Sequence, residues 1–554
     1  MFPKIGRLFR TVRHLKFSQV VWQVRRRFEK RLFPMSRFCQ KQIPKDWQIS
    51  DSVLWHSDAS ARIPSPVPSQ STANIQRGVF RFLNQTAEPD PDSRWECKQL
   101  PRLWQYNLHY FDWLWSLTDS DSGYEIAKNY VVDWIQNHRV SGVSTGWEPY
   151  PTSLRLMNWM LLFLGPCKER TQKDSSFMRV LVESLYLQSC FLSKQLEFHI
   201  LANHLLENAT ALALTGFFFK GADATKWGRV GNSISRTQLD EQILSDGLHF
   251  ERSPMYHARI LWLTKLLSVY GDDSTKGMAG SLLPKMDYAL SRMRHPDSSL
   301  ALFNDAANEI YSLPVHVNSE PEVWALKQAG YYGATLENGN YIVCDCGNVG
   351  PDYQPGHAHA DTFSFEWTID HRPFITDTGT FEYGNTYERS IDRSTKAHNT
   401  LTIGGRNSSE VWSSFRVGQR CYPRVTKWSP TSDSFFLEAE HDGYSPWVCR
   451  RSFAYDKNHL EVCDFIQGRG TQNFESNLHF APGVQLSING DTCIATVGDI
   501  KVQIVVGTKE ELKLNRFSSR YSPEFGLAIA RESLSIQGRC SESAQIKMTM
   551  MVQR

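Results

Sequence analysis

The sequence lacks any apolar run long enough to cross a bilayer. Its best run, Met160 to Leu164, falls far short of the roughly 20 residues that a transmembrane helix needs. The first residues also lack an uninterrupted apolar segment with a small-residue cleavage site, so they do not resemble a secretion signal. These absences predict a protein of the cytoplasm, or one attached peripherally to the inner membrane.

Paired cysteines and nucleic-acid motifs are lacking too. The 11 cysteines show no paired spacing, and Cys344 and Cys346 would stand too close together on one strand for a comfortable disulfide. An odd count in a long chain predicts free thiols. Past residue 31 there is no zinc finger, RNP-like motif or basic stripe with interleaved aromatics, which excludes nucleic acid as a partner.

Acidic residues are nearly absent from residues 1–31, which hold ten Lys and Arg against Glu29 alone. Removing this segment from the totals of 61 basic and 58 acidic residues leaves 51 and 57, a balance of −6. Arg7, Arg10 and Arg13 recur every three residues, as in a basic amphipathic helix lying on an anionic membrane or polymer. The alternative, which we favour, is an arm docked on the main body with its charges in water.

What is present indicates a large soluble protein. The 554 residues exceed one ordinary core, and 41% hydrophobic with 21% charged residues excludes a disordered chain. Aromatic residues reach 12%, which suits sugar-binding clefts and large cores alike. We expect a basic arm and a Pro- and Ser-rich connector over residues 1–75, followed by two domains.

The first domain is predicted to be helical. Between about residues 100 and 295, apolar residues recur at three- and four-residue spacing, which predicts antiparallel helical pairs in series. A series of such pairs favours an incomplete α/α-toroid, assigned to residues 76–325, over a compact bundle. The predicted helical segments are Tyr124–His138, Ser153–Leu164, Phe177–Leu196, Leu205–Phe218 and Ile260–Tyr270.

Near residue 300 the apolar period changes to two. Thr362–Asp370 alternates apolar and polar residues, which predicts a strand with one buried side. Helices followed by strands predict an α+β multidomain protein whose second domain, residues 326–554, is an antiparallel β-sandwich, with a ligand cleft between the domains. Further strands are predicted at Ser434–Glu440, Arg451–Tyr455, His459–Ile466, Cys493–Val497 and Lys501–Val506.

Two predicted helix starts concentrate polar residues. Asn203 and His204 open one helix, with Glu207 one turn further on, so the three side chains crowd one helix end. Helix capping by Asn203, with the other two on the surface, is the interpretation that this segment favours in isolation. Tyr256 starts another helix after a polar stretch, a position where tyrosine also simply lies at a domain surface.

The strongest constellation surrounds a His-x-His pair. His357 and His359, two residues apart on an expected strand, would share a face, and Asp377 and His398 lie on neighbouring segments. Imidazoles with a carboxylate are ligand types of a Zn²⁺ or Mn²⁺ site. The residue types alone predict a metal site without saying which histidine is a ligand and which is free for catalysis.

Together these motifs resemble the heparinase II/III-type polysaccharide lyases, which are built as an α/α-toroid followed by an antiparallel β-sandwich. The resemblance runs from about residue 100 onward. It is carried by Trp104-Gln105-Tyr106-Asn107-Leu108-His109-Tyr110, Ser153-Leu154-Arg155-Leu156-x-Asn158-Trp159, Asn203-His204-x-x-Glu207-Asn208, Arg252-Ser253-Pro254-x-Tyr256-His257, Gly356-His357-x-His359-x-Asp361, Asp377-x-Gly379 and Ala397-His398-Asn399-Thr400.

The resemblance implies β-elimination from a uronic-acid-containing polysaccharide, leaving a 4,5-unsaturated uronate end. Asn203 and His204 would bind and neutralise the uronate carboxylate. Tyr256 would act as base or acid at C5 and the glycosidic oxygen. His357 would be the second proton-transfer residue.

The resemblance also implies one divalent metal with a structural role. His359, Asp377 and His398 would hold it, with Zn²⁺ favoured and Mn²⁺ or Ca²⁺ as alternatives. Candidates for binding or supporting the acidic substrate are Glu207, Arg155, Tyr106, Arg252 and Arg393. Each arginine is equally a candidate for a structural ion pair.

The chemistry of elimination fits these residue types. A uronate C5 proton is a poor acid because the carboxylate resists a second negative charge, and donors clustered at that carboxylate relieve this. A tyrosine base needs its pKa lowered from about 10, which nearby positive charge would do. His357 would then act when the C5 proton lies on the opposite face.

Two other functions compete with the lyase. A glycoside hydrolase would need two opposed carboxylates, whereas these clusters are rich in His, Tyr and Asn. A non-catalytic or modifying protein of exopolysaccharide or capsule assembly would keep the fold without the reaction. Family analogy places the protein in the periplasm, and the uronate polymer, its sulfation and the oligomeric state stay open.

Overall fold

The first part of the chain is helical and the second is almost entirely β-strand. Among the residues that the structure describes, each helix is too short or too polar to span a bilayer. Part of the predicted connector, residues 52–66, lies outside the described residues. The computed structural model describes residues 2–32, 43–51, 67–118, 120–140, 144–311 and 320–553.

Most of the described helices form the basic arm and the first domain, and one short helix, α13, lies within the β domain. Several begin at a side-chain cap, such as Ser253, whose hydroxyl accepts from the backbone N–H of Tyr256. Their bounds are α1 Phe2–Val12, α2 Phe17–Leu32, α3 Thr72–Gln76, α4 Arg102–Tyr110, α5 Asp121–Asn137, α6 Pro149–Phe163, α7 Lys168–Lys173, α8 Ser175–Lys194, α9 Ala202–Phe218, α10 Ala222–Gln242, α11 Pro254–Tyr270, α12 Asp273–Arg292 and α13 Tyr387–Asp392.

Helix α9 lies in the interior of the helical domain. It is apolar nearly all round, as expected of a helix with no solvent face. Its contact with α10 is close enough that a Cβ on Gly216 would stand 2.4 Å from the Cα of Gly228, so only glycine fits there. This packing fixes the axis of α9 and with it the position of the polar residues in its first turn.

The strands form three larger antiparallel sheets. Strands β5–β9 pair in sequence order, while the others form an eight-stranded sheet (β13-β14-β15-β16-β23-β20-β19-β18) and a four-stranded sheet (β10-β17-β22-β21). Their bounds are β5 Glu322–Leu326, β6 Tyr331–Thr335, β7 Tyr341–Asp345, β8 Phe365–Ile369, β9 Arg372–Ile375, β10 Leu401–Ile403, β13 Pro423–Pro430, β14 Phe435–His441, β15 Val448–Asp456, β16 His459–Gln467, β17 Gln472–His479, β18 Gln485–Asn489, β19 Thr492–Val497, β20 Ile500–Gly507, β21 Leu512–Tyr521, β22 Ile529–Cys540 and β23 Ser543–Gln553.

Six short strands complete the β-structure of the described residues in three two-stranded pairs. Two of these pairs precede β5 in the chain, and the third lies between β10 and β13. They are β1 Gln48–Ile49 with β4 Phe219–Lys220, β2 Phe80–Phe82 with β3 Gln85–Ala87, and β11 Val411–Trp412 with β12 Arg416–Val417.

The predicted α+β architecture is confirmed, with a toroid-like helical domain before an antiparallel β domain. One local prediction is wrong. All five residues of β8 are buried, so the strand has no water-facing side. The reason is Glu366, whose carboxylate is bonded to the ring of His295 (2.6 Å) and accepts from the backbone N–H of Asp377 (2.8 Å). The predicted domain limit at residue 325 falls within β5, and the limits remain a prediction.

Candidate active site

The predicted catalytic residues of the helical domain lie at the starts of α9 and α11. Asn203 and His204 occupy the first turn of α9, and Tyr256 occupies the first turn of α11. Both starts follow a residue with left-handed backbone, Leu201 (φ 67°) and Arg252 (φ 58°). Such strain persists only where the surrounding structure holds it, and it is concentrated at functional sites.

Tyr256 and His357 form a stacked pair across the domain boundary. Their ring centroids are 3.8 Å apart with an interplanar angle of 27°. The Tyr256 hydroxyl lies 3.1 Å from the hydroxyl of Tyr383. His357 belongs to a loop, not to the strand that the His-x-His spacing suggested. A phenol from the helical domain and an imidazole from the β domain thus lie side by side in the candidate site.

The pKa values of Tyr256 and His357 are shifted in opposite directions from their ordinary values. Burial raises the pKa of Tyr256 well above its ordinary value, and neighbouring tyrosines add to this. The expected lowering of that pKa by positive charge is therefore not what the structure has. Burial also lowers the pKa of His357, although Asp305 partly opposes it. At neutral pH Tyr256 is a phenol and His357 is a neutral imidazole.

Asp305 is the anchor of the site, and our sequence analysis did not find it. Its carboxylate lies 2.9 Å from Nδ1 of His357 and 2.9 Å from Nε2 of His359. Arg389 donates to both of its oxygens, one bond being 2.8 Å long. Burial alone would raise the pKa of Asp305, but Arg389 and the two histidines hold it well below its usual range.

This anchor determines the tautomer of His357. Because an ionised carboxylate only accepts, Nδ1 carries the proton and Nε2 is left as an acceptor. A signal for Asp305 existed in the sequence: it is an acid within an apolar stretch, and a buried carboxylate requires partners.

Glu251 lies on the other side of His357, and it too was missed. It is 2% exposed, and its Oε2 stands 4.0 Å from Nε2 of His357. Burial raises the pKa of Glu251 to about 8; the backbone N–H of Asn203 opposes the shift and the charge of Asp305 adds to it. A neutral carboxylic acid is therefore present beside the acceptor nitrogen at pH 7.

His204 has a different carboxylate partner. Its Nδ1 lies 3.2 Å from Oε2 of Glu197, and its ring stacks against Tyr150 with centroids 4.4 Å apart. Asn208 fixes Glu197 by accepting from its backbone N–H (2.9 Å) and donating to its carboxylate (3.2 Å). Burial alone would raise the pKa of Glu197, but the charge and hydrogen bond of His204 outweigh burial and lower it.

An aromatic row leads from His204 towards the surface. Tyr150 contacts Tyr110 at 5.9 Å, and Tyr110 contacts the half-buried Tyr106 at 6.2 Å between ring centroids. The Tyr106 hydroxyl donates to Glu148 over 2.5 Å. Tyr106 is the predicted substrate-binding residue among these rings. The ring contacts connect it to His204 through Tyr110 and Tyr150.

Two family models match the chain, "Heparinase II/III N-terminus" over residues 76–325 and "Heparinase II/III-like, C-terminal" over residues 318–549. The chain belongs to the heparinase II/III family. Heparin-sulfate lyase of Pedobacter heparinus is 25% identical over 336 residues, which are 54% of this chain and 49% of that protein. Heparin-sulfate lyase of Bacteroides stercoris is 26% identical over 314 residues, 50% of this chain and 45% of that protein. The chain thus spans about half the length of these curated relatives.

Solved structures support the heparinase II/III fold. The crystal structure of heparinase III aligns with a TM-score of 0.69 at 16% identity, covering 94% of this chain and 88% of the other. A heparan sulfate lyase mutant from Pedobacter heparinus aligns with a TM-score of 0.62 at 18% identity, covering 90% and 87%. At these identities the likeness shows the fold alone.

In this heparinase II/III chain the predicted metal ligands are neighbours without forming a complete site. Among the described residues, no group of three or more His, Cys, Asp or Glu side chains has metal-binding geometry. The Asp377 carboxylate is bonded to Nδ1 of His398 (2.9 Å). The opposite nitrogens, Nδ1 of His359 and Nε2 of His398, are buried with no hydrogen-bond partner in the described part of the chain, and the two rings lie 5.4 Å apart. Two unpaired imidazole nitrogens are of the donor type that a divalent cation takes, whereas the Asp377 carboxylate is bonded to the other nitrogen of His398.

Several predicted substrate-binding residues make buried structural contacts, which favours the structural alternative for the arginines and a supporting role for Glu207. Glu207 forms a buried ion pair with Arg259, with N–O distances of 2.5 and 2.9 Å. Arg155 is fully buried, donating to Gln188 and to backbone carbonyls and stacking on Trp134 at 4.0 Å. A guanidinium consumed by interior carbonyls has no donor left for a sugar.

Arg252 and Arg393 are buried in the same way. Arg252 donates to the carbonyl of Ala329 (2.9 Å), which joins the start of α11 to the β domain. Arg393 donates to the carbonyl of Ala358 with two nitrogens (3.0 and 2.9 Å) and so shapes the loop between His357 and His359. Both arginines position the site and neither faces it.

Proposed function

We propose that the protein is a polysaccharide lyase that cleaves a uronic-acid-containing polysaccharide by β-elimination. The observation that carries this proposal is the stacked pair of a neutral imidazole and a protonated phenol, anchored by Asp305. Elimination needs a base at C5 and an acid at the oxygen leaving C4, and this pair supplies both within one site.

His357 is the base in this proposal. Its Nε2 takes the C5 proton while Nδ1–H stays bonded to Asp305, which balances the imidazolium that forms. Electrons of the C5–H bond form the C4–C5 double bond, and the C4–O bond breaks. Tyr256 gives its proton to the departing oxygen, so a 4,5-unsaturated uronate and a new hydroxyl end result.

In this proposal, residues of the helical domain stabilise the carboxylate of the substrate. Asn203 and His204 stand at the start of α9, where Glu197 is bonded to Nδ1 of His204 (3.2 Å). The protonated Glu251 is a further hydrogen-bond donor beside the acceptor nitrogen of His357. Donors at the uronate carboxylate stabilise the charge that develops when C5 loses its proton.

We further propose a divalent cation, Zn²⁺ in the first place, at His359, Asp377 and His398. When bound, it would add positive charge next to Asp305 and stiffen the loop that carries His357. The unpaired Nδ1 of His359 and Nε2 of His398 support this assignment. Metal analysis of the purified protein, with loss of bound metal and of thermal stability in His398→Ala, tests it independently of activity.

For substrate, we propose a heparan-sulfate-like polymer first, because the curated relatives carry the name heparin-sulfate lyase. Other uronate polymers, including bacterial exopolysaccharides, are the next to test. A binding-only role has no observation of its own in its favour.

Ultraviolet absorbance of the unsaturated product tests the reaction. A panel of uronate polymers is incubated with the protein, with Tyr256→Phe, and with Tyr387→Phe as control, since Tyr387 is 75% exposed. We expect absorbance with the parent and the control and almost none with Tyr256→Phe. New reducing ends without absorbance would replace elimination by hydrolysis, and no product from any acidic polymer would favour binding alone.

A further inference from the structure

The basic arm docks beside the candidate site through its polar side. The arm consists of α1 and α2 joined by a short turn, a helix–turn–helix segment called the N-terminal hairpin below, and its side chains are described for residues 5–28. Arg10 forms a two-bond ion pair with Glu410 of the β domain (2.8 and 2.7 Å). Gln19 is buried and donates to the carbonyls of Ile200 (3.3 Å) and Tyr353 (3.4 Å). The hairpin therefore bridges the loop before α9 and the loop before His357.

Further contacts strengthen this docking. Lys16 pairs with Glu241 and lies over the ring of Tyr353, 3.9 Å from its centroid. Trp22 stacks on Phe198 with centroids 4.9 Å apart. The arm is thus docked on the main body, and the side chains of Arg10 and Lys16 remain 38% and 39% exposed while they form their ion pairs.

The opposite side of the hairpin is apolar and exposed. In α1 its members follow the spacing i, i+3, i+4 and i+7, and in α2 i, i+3, i+4, i+7 and i+11, so each helix presents one stripe. Phe17 is 83% exposed and Phe9 is 70% exposed. The apolar face of the hairpin comprises Ile5, Leu8, Phe9, Val12, Phe17, Val20, Val21, Val24 and Phe28.

This concentration is exceptional for the molecule. Nine of the sixteen large exposed hydrophobic residues in the described chain lie within residues 5–28. Single exposed apolar residues need no explanation, but a contiguous apolar face marks an interaction surface.

The charges around this face select its partner. Arg13, Arg25 and Arg27 are exposed beside it, and no acidic residue occurs before Glu29. A second copy packed on the same face would bring these cations together, which is unfavourable. An anionic lipid surface takes up apolar side chains and attracts arginines at the same time.

We propose that the N-terminal hairpin holds the protein on an anionic lipid membrane, with its apolar face in the headgroup–acyl boundary. The helices lie in the interface and do not cross it, in keeping with their length and polarity. Since Gln19 and Trp22 contact residues next to Asn203, membrane attachment also sets how the candidate site faces the lipid surface. This inference is independent of the proposed lyase activity.

Vesicle co-sedimentation of the full chain tests it. We expect the protein to pellet with vesicles that contain about one third anionic phospholipid, and to pellet at least tenfold less with neutral vesicles, because the anionic surface attracts the arginines. Binding should weaken at high salt because the arginine contribution is screened. Phe9→Ser with Phe17→Ser should reduce anionic binding at least tenfold. Val448→Ser with Met551→Ser, two exposed apolar residues of the β domain (44% and 41%), should leave it unchanged.

Arg13→Glu with Arg27→Glu gives a second test, which should lower anionic binding while circular dichroism and melting temperature stay as in the parent. Binding of the Phe9 and Phe17 double variant at the parent level would overturn the proposal. Equal binding to neutral and anionic vesicles would overturn it as well. So would a dimer in solution that the same double variant converts to a monomer, because the face would then belong to a second copy.

Discussion

His357 and His204 are each bonded to a carboxylate through Nδ1, but the two carboxylates have different further partners. His357 is bonded to Asp305, whose charge is shared with Arg389, and its side chain is 13% exposed. His204 is bonded to Glu197, whose other side-chain partner is the amide of Asn208, and its side chain is 26% exposed. A carboxylate fixes the tautomer in both cases, but of the two carboxylates it is Asp305 that also forms a buried ion pair with Arg389. We assign proton transfer to His357 and charge stabilisation to His204 on this difference.

Replacing His357 should have the largest effect. Without Nε2 no group is placed to take the C5 proton, so His357→Asn should lower kcat by about 10³ to 10⁴-fold, the upper range for a general base. The measurement is the rate of unsaturated-product absorbance at saturating polymer. His371→Asn, at an exposed position of the β8–β9 turn, is the matched control and should stay within about twofold, as surface changes do.

Removing the anchor should come next. Asp305→Asn leaves His357 in place but removes the carboxylate that sets its tautomer and balances Arg389, so kcat should fall about 10³-fold. Stability should fall by about 3 to 5 kcal/mol because Arg389 is left buried without its counter-charge. Urea unfolding measures this, with Asp499→Asn at an exposed ion pair as control. An unchanged unfolding free energy would show that the ion pair between Asp305 and Arg389 does not stabilise the fold.

The helical-side histidine should matter less. His204→Gln keeps a hydrogen-bond donor but loses the ring geometry that Glu197 fixes, and kcat should fall on the order of 10²-fold. The loss should appear in kcat more than in KM, because the charge at the uronate carboxylate develops in the transition state. A larger loss than that of His357→Asn would reverse the assignment of the two histidines.

The smallest effect on catalysis is expected at Glu251, whose main contribution appears in the pH dependence of stability. Its pKa is about 8 in the folded protein against about 4.5 when unfolded, so the folded state binds more protons between these values. Stability should therefore fall as pH rises from about 4.5 to 8, by at most about 5 kcal/mol. Glu251→Gln should remove this slope in urea unfolding at several pH values, and Glu542→Gln, at an exposed turn, should keep it. A parent protein without the slope would mean that Glu251 ionises normally.

The sequence predicted the helices and strands well, but it did not predict the contacts between them. The helix predicted at Tyr124–His138 runs from Asp121 to Asn137, and the strand predicted at His459–Ile466 runs from His459 to Gln467, because periodicity reports local burial. Asp305 and Glu251 were missed because their roles arise only when distant segments meet. The buried carbonyl partners of Arg155, Arg252 and Arg393 were not predictable for the same reason. In the sequence, an arginine that donates to interior carbonyls looks like one that binds an anion.

The central claim is that His357 removes the C5 proton and Tyr256 protonates the leaving oxygen. Deuterium exchange at C5 of the polymer in heavy water, followed by NMR, separates the two steps. We predict that Tyr256→Phe still exchanges C5 hydrogen while forming almost no unsaturated product, and that His357→Asn does neither. Exchange that survives in His357→Asn and is lost in Tyr256→Phe would contradict the account, because the phenol would then be the base.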